Sequence, residues 1–411
     1  MRASAFVLVL ALTAGCAGAQ GSDRPTDASS APANASAPRA STTPALPRWS
    51  ANQPVRVRLS GFERANELEV LRGSGERVRV AREGDLVRRA NADAEREVRL
   101  ASPDARPLRL GALRVHGELA IRARKSGGLE VDALVDLERY VEGVLAGELS
   151  LWSASPAELE AQAIAARSYA VCALQHRSQK SPTPYLFADT RDQVFEGPPD
   201  LGTRGEAQRV AARLRAALDA TRGRVLLEGE RVVDARFSAA CGGRTADARE
   251  LAPEADFECL RSVACTICSE DYVRPLEASA ARVDDVGWRA TLGADELSRA
   301  LALDGPCLEL TATRDDGRGR WIEVEARSAT TTRKLAFVDV RAKVAGGKLA
   351  SPWIVTLRLD GRGGATFVGR GRGHGVGLCQ RGARGLAARG WDAERILGHY
   401  FPGARVGDVA R

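Results

Sequence analysis

Residues 137–169 most constrain how this chain can fold, because they contain two apolar stretches of helical spacing separated by one short polar break. After the break, Ser155 and Glu158 form a capping box around Pro156, which predicts that the second helix begins at this proline. Glu148 precedes the cap, at or just past the end of the first helix. A side chain at such a position can project into a cleft, so Glu148 is our candidate general acid.

Strand and helix patterns follow one another in blocks along the rest of the chain. From residue 55 to about 123, apolar and polar residues alternate between Gly, Asp and Pro turns, which predicts a small β-rich lobe. Strand patterns return after Gly223, and helical spacing predicts helices at 134–147, 156–177, 205–220, 294–303 and 380–389. The predicted fold class is therefore α+β, with mixed β-sheets and a few helices around a cleft, plus the N-terminal β-rich lobe.

The first 50 residues predict an export signal followed by a tether. An apolar run from Ala5 to Leu12 follows a single arginine, as in a secretory signal, and residues 13–16 resemble a lipobox that would lipidate Cys16. Ordinary signal-peptidase cleavage just after this segment is the alternative. Residues 17–50 contain almost no large apolar side chains, which predicts a disordered tether. We therefore expect a protein exported to the cell envelope, lipid-anchored and facing the periplasm.

The folded part is expected to consist of a β-rich portion at 51–125 and a catalytic domain at 126–411. The chain has 60 basic and 53 acidic residues, and the two kinds are interleaved. The net charge of +7 is therefore spread out rather than gathered into a basic stripe, which argues against nucleic-acid binding.

A glycine-rich segment near the C-terminus is a second candidate site. Glycines at alternate positions from Gly369 to Gly377 surround His374, which predicts a backbone kept free of side chains so that a bulky ligand can approach. The segment lacks the Gly-Lys-Ser/Thr ending of a phosphate-binding P-loop. We expect His374 and Gln380 to hydrogen-bond a ligand, and a structural histidine is the alternative for His374.

Seven of the eight cysteines remain once Cys16 is set aside, so at least one is unpaired. A CxxC motif, a CGG turn and one nearby cysteine would supply four thiolates for a structural zinc ion, namely Cys241, Cys259, Cys265 and Cys268. Disulfide bonds are the alternative, because exported proteins commonly contain them. Cys379 is expected to be a small packed residue.

Several segments together resemble the SpoIID/LytB family, the stage II sporulation protein D group of cell-wall proteins. In order along residues 108–406 they read LERYVEGVLAGE, AQAIAARSYA, QVFEG, TRGRVLL, SAACGGRT, GHGVGLCQRGA and HYFPG. Phe195 and Phe401 stand where the family pattern has tyrosines, and Arg381 stands where an aromatic residue is common. We expect these departures to alter a sugar-stacking surface.

The resemblance implies a peptidoglycan lytic transglycosylase that cleaves the MurNAc-GlcNAc β-1,4 bond and leaves 1,6-anhydro ends. Glu148 falls at the position of the family's catalytic glutamate, which acts first as acid and then as base, with no cofactor required for the chemistry. Such an acid must stay protonated at neutral pH, which requires apolar surroundings that raise its pKa. The apolar residues close enough in sequence are Leu145, Leu149, Leu151 and Trp152.

The cleft is accordingly expected to bind glycan, through polar residues that the matched segments contain. The expected substrate-binding residues are Gln162, Arg167, Tyr169, Gln193, His374 and Gln380. For Gln162 and Arg167 the alternative is a structural role in fixing the loop that presents Glu148, and the segment around Gln193 is by itself typical of a plain loop.

The partners implied are peptidoglycan glycan strands and a cell-wall amidase. The alternative function is that of a non-catalytic cell-wall-binding protein that stimulates an N-acetylmuramoyl-L-alanine amidase. Retention of the glutamate favours the enzyme, because a pure binding module needs no acid at that position.

Overall fold

The structure, a computed structural model, describes residues 53–101, 106–251, 255–270 and 287–409. The predicted signal peptide, Cys16 and the tether lie outside these described residues. Helices and open β-sheets both occur, so the predicted α+β class is confirmed. Within the described ranges, no helix combines the length and the apolar composition needed to cross a bilayer.

The N-terminal part is built from short strands, as the alternating pattern predicts. They are β1 (Val55–Leu59), β2 (Glu67–Leu71), β3 (Arg77–Glu83), β4 (Leu86–Arg89), β5 (Ala94–Glu95), β6 (Glu97–Ala101), β7 (Leu108–Leu110), β8 (Leu113–Val115), β9 (Glu118–Ala123) and β10 (Leu129–Val135). One sheet has the order β5-β4-β3-β2-β7-β8, and a second contains β1, β10, β9 and β6. Alternate residues of β1 and β3 are buried, as expected for strands with one face on a core.

The middle of the chain supplies the helices on which the candidate acid lies. The elements are α1 (Leu137–Glu148), α2 (Pro156–Ser178), β11 (Leu186–Phe187), α3 (Gly205–Ala220), β12 (Arg224–Glu228), β13 (Arg231–Val232), β14 (Phe237–Ser238), α4 (Ala248–Leu251) and α5 (Thr266–Glu270). The Oγ of Ser155 accepts the backbone N–H of Glu158 at 3.2 Å, so the predicted start of α2 is confirmed. α2 packs on α1, α3 and β12 through a nearly fully buried surface rich in alanine.

Residues 287–370 have a hydrophobic core of their own. Their elements are β15 (Gly287–Leu292), α6 (Ala294–Leu301), β16 (Glu309–Asp315), β17 (Trp321–Arg327), β18 (Thr332–Ala336), α7 (Phe337–Lys343), β19 (Ile354–Leu359) and β20 (Ala365–Arg370). The main cluster of buried apolar residues runs from Val55 to Cys268 and resumes at Val376, whereas the second cluster lies between Trp288 and Phe367. The sequence patterns do not distinguish this inserted unit.

The C-terminal elements return to the main core. They are β21 (Leu378–Cys379), α8 (Gln380–Ala388), α9 (Ala393–Tyr400) and β22 (Arg405–Asp408). β21 pairs in parallel with β14, and β22 pairs antiparallel with β12. The prediction that the last helix lies at 380–389 is wrong, because α9 follows it with Asp392 as its N-cap.

Candidate active site

Glu148 is the last residue of α1, and its side chain keeps part of its surface exposed. Leu145, Leu149 and Leu151 are buried around this helix end, as the sequence predicts. Trp152 differs from the expectation, because it exposes 52% of its surface and so contributes little to a dry environment. The helix end therefore presents one carboxyl group at the border between core and solvent.

The environment of Glu148 favours the protonated acid. Burial raises the pKa of Glu148 to about 7, and the negative charge of Glu196 acts in the same direction. The backbone N–H of Val194, which donates to Oε1 at 2.8 Å, and the side-chain amide of Gln380 oppose this rise in pKa. A carboxyl group with such a pKa exchanges its proton near neutral pH, which suits a group that must act as acid and base in turn.

Two glycines of α1 let the 190–197 loop reach Glu148. A Cβ at Gly143 would overlap the ring of Phe195, and one at Gly147 would overlap the carbonyl oxygen of Val194 and lie 2.9 Å from its Cγ1. Because Gly143 and Gly147 are four residues apart, they share one helix face. This glycine seam brings the Val194 N–H within hydrogen-bonding distance of the carboxylate, and sequence reasoning did not identify it.

We expect Gly147→Ala to destabilise the protein by about 1–3 kcal/mol, since the added methyl group must push the 190–197 loop away from α1. The matched control is Gly398→Ala in α9, where a Cβ meets nothing within 4 Å and the helix gains up to about 1 kcal/mol. Chemical denaturation of both variants measures the two changes. A stabilised Gly147→Ala protein would show that the seam does not limit the approach of the loop.

Asp192 holds the 190–197 loop in place. Its carboxylate accepts hydrogen bonds from the Tyr169 hydroxyl at 2.6 Å, from both terminal nitrogens of Arg177 at 2.6 and 2.8 Å, and from the backbone N–H of Phe187 at 2.7 Å. The hydroxyl of Tyr169, expected to bind substrate, is therefore engaged inside the protein. In this structure Tyr169 positions the loop that contacts Glu148.

Gln193 and Phe195 face the protein interior from the same loop. The Tyr140 hydroxyl donates to Oε1 of Gln193 at 2.9 Å, and the Tyr140 ring stacks on Phe195 with centroids 5.7 Å apart. Phe195 and Phe401 are both buried, so these departures from the family pattern alter packing. The expectation that they alter a sugar-stacking surface is wrong.

Arg167 is part of a buried ion pair. Its guanidinium group is fully buried, donates to Glu138 from Nε at 2.9 Å and from a terminal nitrogen at 2.6 Å, and also donates to the carbonyl of Arg224 at 2.9 Å. The donors of Arg167 are used between α1, α2 and β12, and its substrate-binding role stays a prediction. The structural alternative fits this geometry.

Three of the predicted ligand-binding glutamines contain an unpartnered amide nitrogen. Among the described residues, the buried Nε2 atoms of Gln162, Gln193 and Gln380 have no hydrogen-bond partner. A buried donor without a partner costs about 1–3 kcal/mol, so a ligand or water is favoured there. Gln193 precedes Val194, whose N–H donates to Glu148, whereas Gln162 lies on α2, where the structural alternative remains.

The glycines around His374 are explained by contacts within the chain. At Gly377, φ is +71° and a Cβ would overlap the carbonyl oxygen of Arg236. Gly371 has φ +83°, and a Cβ there would lie 2.8 Å from the carbonyl oxygen of Ala240. The expectation that the glycines admit a bulky ligand is therefore wrong at Gly371 and Gly377, because the 236–241 segment occupies that space.

His374 itself is held in a basic environment. Its Nδ1 accepts the backbone N–H of Val376 at 3.0 Å. Burial, followed by the positive charge of Arg236, lowers the pKa of His374 to about 3, so the imidazole is neutral at physiological pH. Within this segment, Gln380 is the residue that acts on Glu148.

Four buried cysteines form a group whose Sγ atoms all lie within 4.8 Å of one another. This thiol cluster consists of Cys241, Cys265, Cys268 and Cys379. The predicted set of four is corrected in one member, since Cys379 takes the place assigned to Cys259. Cys259 is buried elsewhere, with its backbone N–H donating to Glu228 at 2.8 Å. All seven cysteines of the described residues are free thiols.

Comparison with known proteins identifies relatives over much of the chain. Residues 125–227 match the family described as SpoIID, Stage II sporulation protein. Stage II sporulation protein D of Bacillus subtilis (strain 168) is 26% identical over 67% of this chain and 75% of that protein. The amidase enhancer of the same strain is 24% identical over 65% of this chain and 40% of its own length. An uncharacterised protein of Brachyspira hyodysenteriae (strain ATCC 49526 / WA1) is 27% identical over 67% of this chain and 68% of that protein.

Proposed function

The chain belongs to the SpoIID/LytB family, and from this membership we propose that it is a lytic transglycosylase of the bacterial cell wall. Its substrate is the MurNAc-GlcNAc β-1,4 bond of peptidoglycan glycan strands, and its products carry 1,6-anhydro ends. The observation that carries the proposal is the position of Glu148, a partly exposed residue at the end of α1 beside buried apolar side chains, where burial raises its pKa to about 7.

In the proposed reaction, Glu148 first donates a proton and then accepts one. The protonated carboxyl donates to the bridging oxygen while the bond from that oxygen to C1 of MurNAc breaks. The C6 hydroxyl oxygen of the same sugar then bonds to C1, and its proton passes to the Glu148 carboxylate. The acid is thereby regenerated without water, and the Val194 N–H stabilises the carboxylate between the two steps.

One carboxyl group suffices for this route, since the substrate supplies its own nucleophile. Retaining and inverting glycosidases instead use two carboxyl groups on either side of the bond. Glu196 is the other carboxyl whose charge acts on Glu148, and its residue is exposed to solvent. We assign it no proton transfer.

Digestion of purified glycan strands, followed by mass spectrometry of the products, tests the proposal. Anhydro ends are expected. Reducing ends would contradict transglycosylation and indicate a hydrolase. Absence of cleavage together with stimulation of a purified N-acetylmuramoyl-L-alanine amidase would favour the second candidate, a wall-binding amidase stimulator, which the relative named amidase enhancer supports.

The fall of activity at alkaline pH, the alkaline limb of the pH profile, is expected to follow the ionisation of Glu148. Because the acid must be protonated and burial raises its pKa to about 7, kcat/KM should fall above about pH 7, approaching tenfold per pH unit. Glu196→Gln removes a negative charge that raises this pKa, so the limb should shift to lower pH while the maximal rate is kept.

The control for Glu196→Gln is Glu206→Gln, an exposed carboxylate at the start of α3, which should leave the limb unchanged. Loss of nearly all cleavage in Glu196→Gln would contradict a one-carboxylate mechanism.

We propose that the protein is exported to the cell envelope and that a lipid attached to Cys16 anchors it there. Glycan strands are its proposed partner if it is an enzyme, and a cell-wall amidase is a second proposed partner.

A further inference from the structure

The thiol cluster joins parts of the chain that are far apart in sequence. The backbone N–H of Cys241 donates to Sγ of Cys379 at 3.2 Å, across a separation of 138 residues. Sγ of Cys268 lies 3.5 Å from that of Cys379, 111 residues away. Because the inserted 287–370 unit lies between these segments, the cluster closes the main core where the chain leaves it and returns.

The spacing of the four sulfur atoms fits one tetrahedral metal ion. Thiolates held at about 2.3 Å from a zinc ion lie about 3.8 Å from each other, since that is the edge of the tetrahedron. The observed 3.5 Å separation between Cys268 and Cys379 and the upper limit of 4.8 Å bracket this value. A disulfide bond has an S–S distance of about 2.05 Å and joins sulfur atoms only in pairs. Disulfide bonding therefore does not explain why four sulfur atoms lie close together.

Hydrogen bonds to the cluster are those expected around metal thiolates. Sγ of Cys379 accepts the N–H of Cys241 and that of Gly382, the latter at 3.3 Å. The hydroxyl of Tyr400 lies 3.2 Å from Sγ of Cys265. Such donors orient and stabilise ligand sulfur atoms.

We propose that the thiol cluster binds one zinc ion, and that this ion fixes the start of α8 and with it Gln380. The consequence for Glu148 rests on the function proposed above. The metal has a positioning role and takes no part in proton transfer.

The connection between the cluster and the acid is short. Cys379 is the N-cap of α8, and Gln380 is the first residue of that helix. Gln380 acts on the carboxyl of Glu148 and retains a buried Nε2 without a partner among the described residues. Release of Cys379 from the metal would loosen the cap and thereby displace this amide.

Metal analysis of the purified full chain tests the site without any glycan. One zinc ion per chain is expected, and Cys268→Ser should weaken zinc binding by at least about 100-fold, since changes outside the ligand set already cost 10–100-fold. The matched control is Cys259→Ser, a buried thiol outside the cluster, which should keep its zinc. Peptide mapping after alkylation without reductant should find the four cluster thiols free once the protein is denatured with a chelator.

Hydrogen exchange tests the positioning role even where Cys268→Ser fails to fold. Chelation of zinc from the wild-type chain should accelerate exchange at the amides of 379–384, with little change in β16–β18, and zinc should restore protection. A chain without metal whose cluster thiols are joined in disulfides would overturn the proposal, as would zinc loss in Cys259→Ser alone. Unchanged exchange at 379–384 would overturn the positioning role. Because none of these readouts uses glycan, failure here is distinct from failure of the transglycosylase assignment.

Discussion

Replacing Glu148 by glutamine is expected to reduce cleavage of glycan strands by about 10²–10⁴-fold, the usual contribution of a positioned general acid and base. Glutamine keeps an oxygen that can accept the Val194 N–H, but it has no proton to give at neutral pH. Binding of glycan strands should therefore persist. Cleavage rates and strand binding, measured on the same preparation, separate the two effects.

The same variant is expected to be more stable than the wild type at alkaline pH. Burial raises the pKa of Glu148 from 4.5 to about 7, so the folded state holds a proton that the unfolded state has lost between these values. The free energy of unfolding of the wild type therefore falls as pH rises from about 4.5 to about 7. Above pH 7 the ionised carboxylate costs at most about 3.4 kcal/mol, at 1.36 kcal/mol for each pKa unit.

Denaturation of both proteins between pH 4 and pH 9 gives the comparison. The stability difference should be greatest above pH 7 and vanish below about pH 4.5, where both states are protonated. A variant that is inactive yet more stable excludes unfolding as the cause of lost activity. Wild-type turnover in Glu148→Gln would remove this residue from the mechanism.

Arg167→Met is expected to destabilise the protein by about 3–5 kcal/mol. The change removes the buried guanidinium group that pairs with Glu138, so the Glu138 carboxylate is left without its partner charge. The change also removes the donor to the Arg224 carbonyl. Adding Glu138→Leu should recover part of the loss, since the unpaired charge is then gone. Chemical denaturation of the single and double variants measures this coupling.

The control for Arg167 is Arg222→Ala, which breaks an exposed pair with Asp219 and should change stability by about 0.5 kcal/mol or less. If Arg167 contacts glycan instead, Arg167→Met would raise KM at nearly unchanged stability. That result would support the substrate-binding assignment that the buried pair argues against.

Local patterns account for the elements that sequence reasoning located correctly. The start of α2 follows from Ser155, Pro156 and Glu158, which lie within four residues of each other, and α3 was predicted at its observed bounds, Gly205–Ala220. Periodicity and caps depend on neighbours within about one helical turn, so they can be read without knowing the fold. The position of Glu148 at a helix end belongs to this class.

Other features depended on contacts between distant segments. The glycine seam of α1 is meaningful only once the 190–197 loop packs on it, and Arg167 finds Glu138 on a different helix. Likewise, Gly371 and Gly377 near His374 are required by the 236–241 segment, and periodicity does not show this contact.

The sequence by itself determined the α+β class, the positions of α1, α2, α3, α6 and α8, and the acid at the end of α1, since these follow from side-chain spacing and capping over a few residues. Only the tertiary structure decided that Cys379 joins the thiol cluster in place of Cys259, and that residues 287–370 form a second core. The physical reason is the same for both. The packing of the whole chain decides which side chains 100 or more residues apart come into contact, and the spacing of neighbouring residues does not depend on that packing.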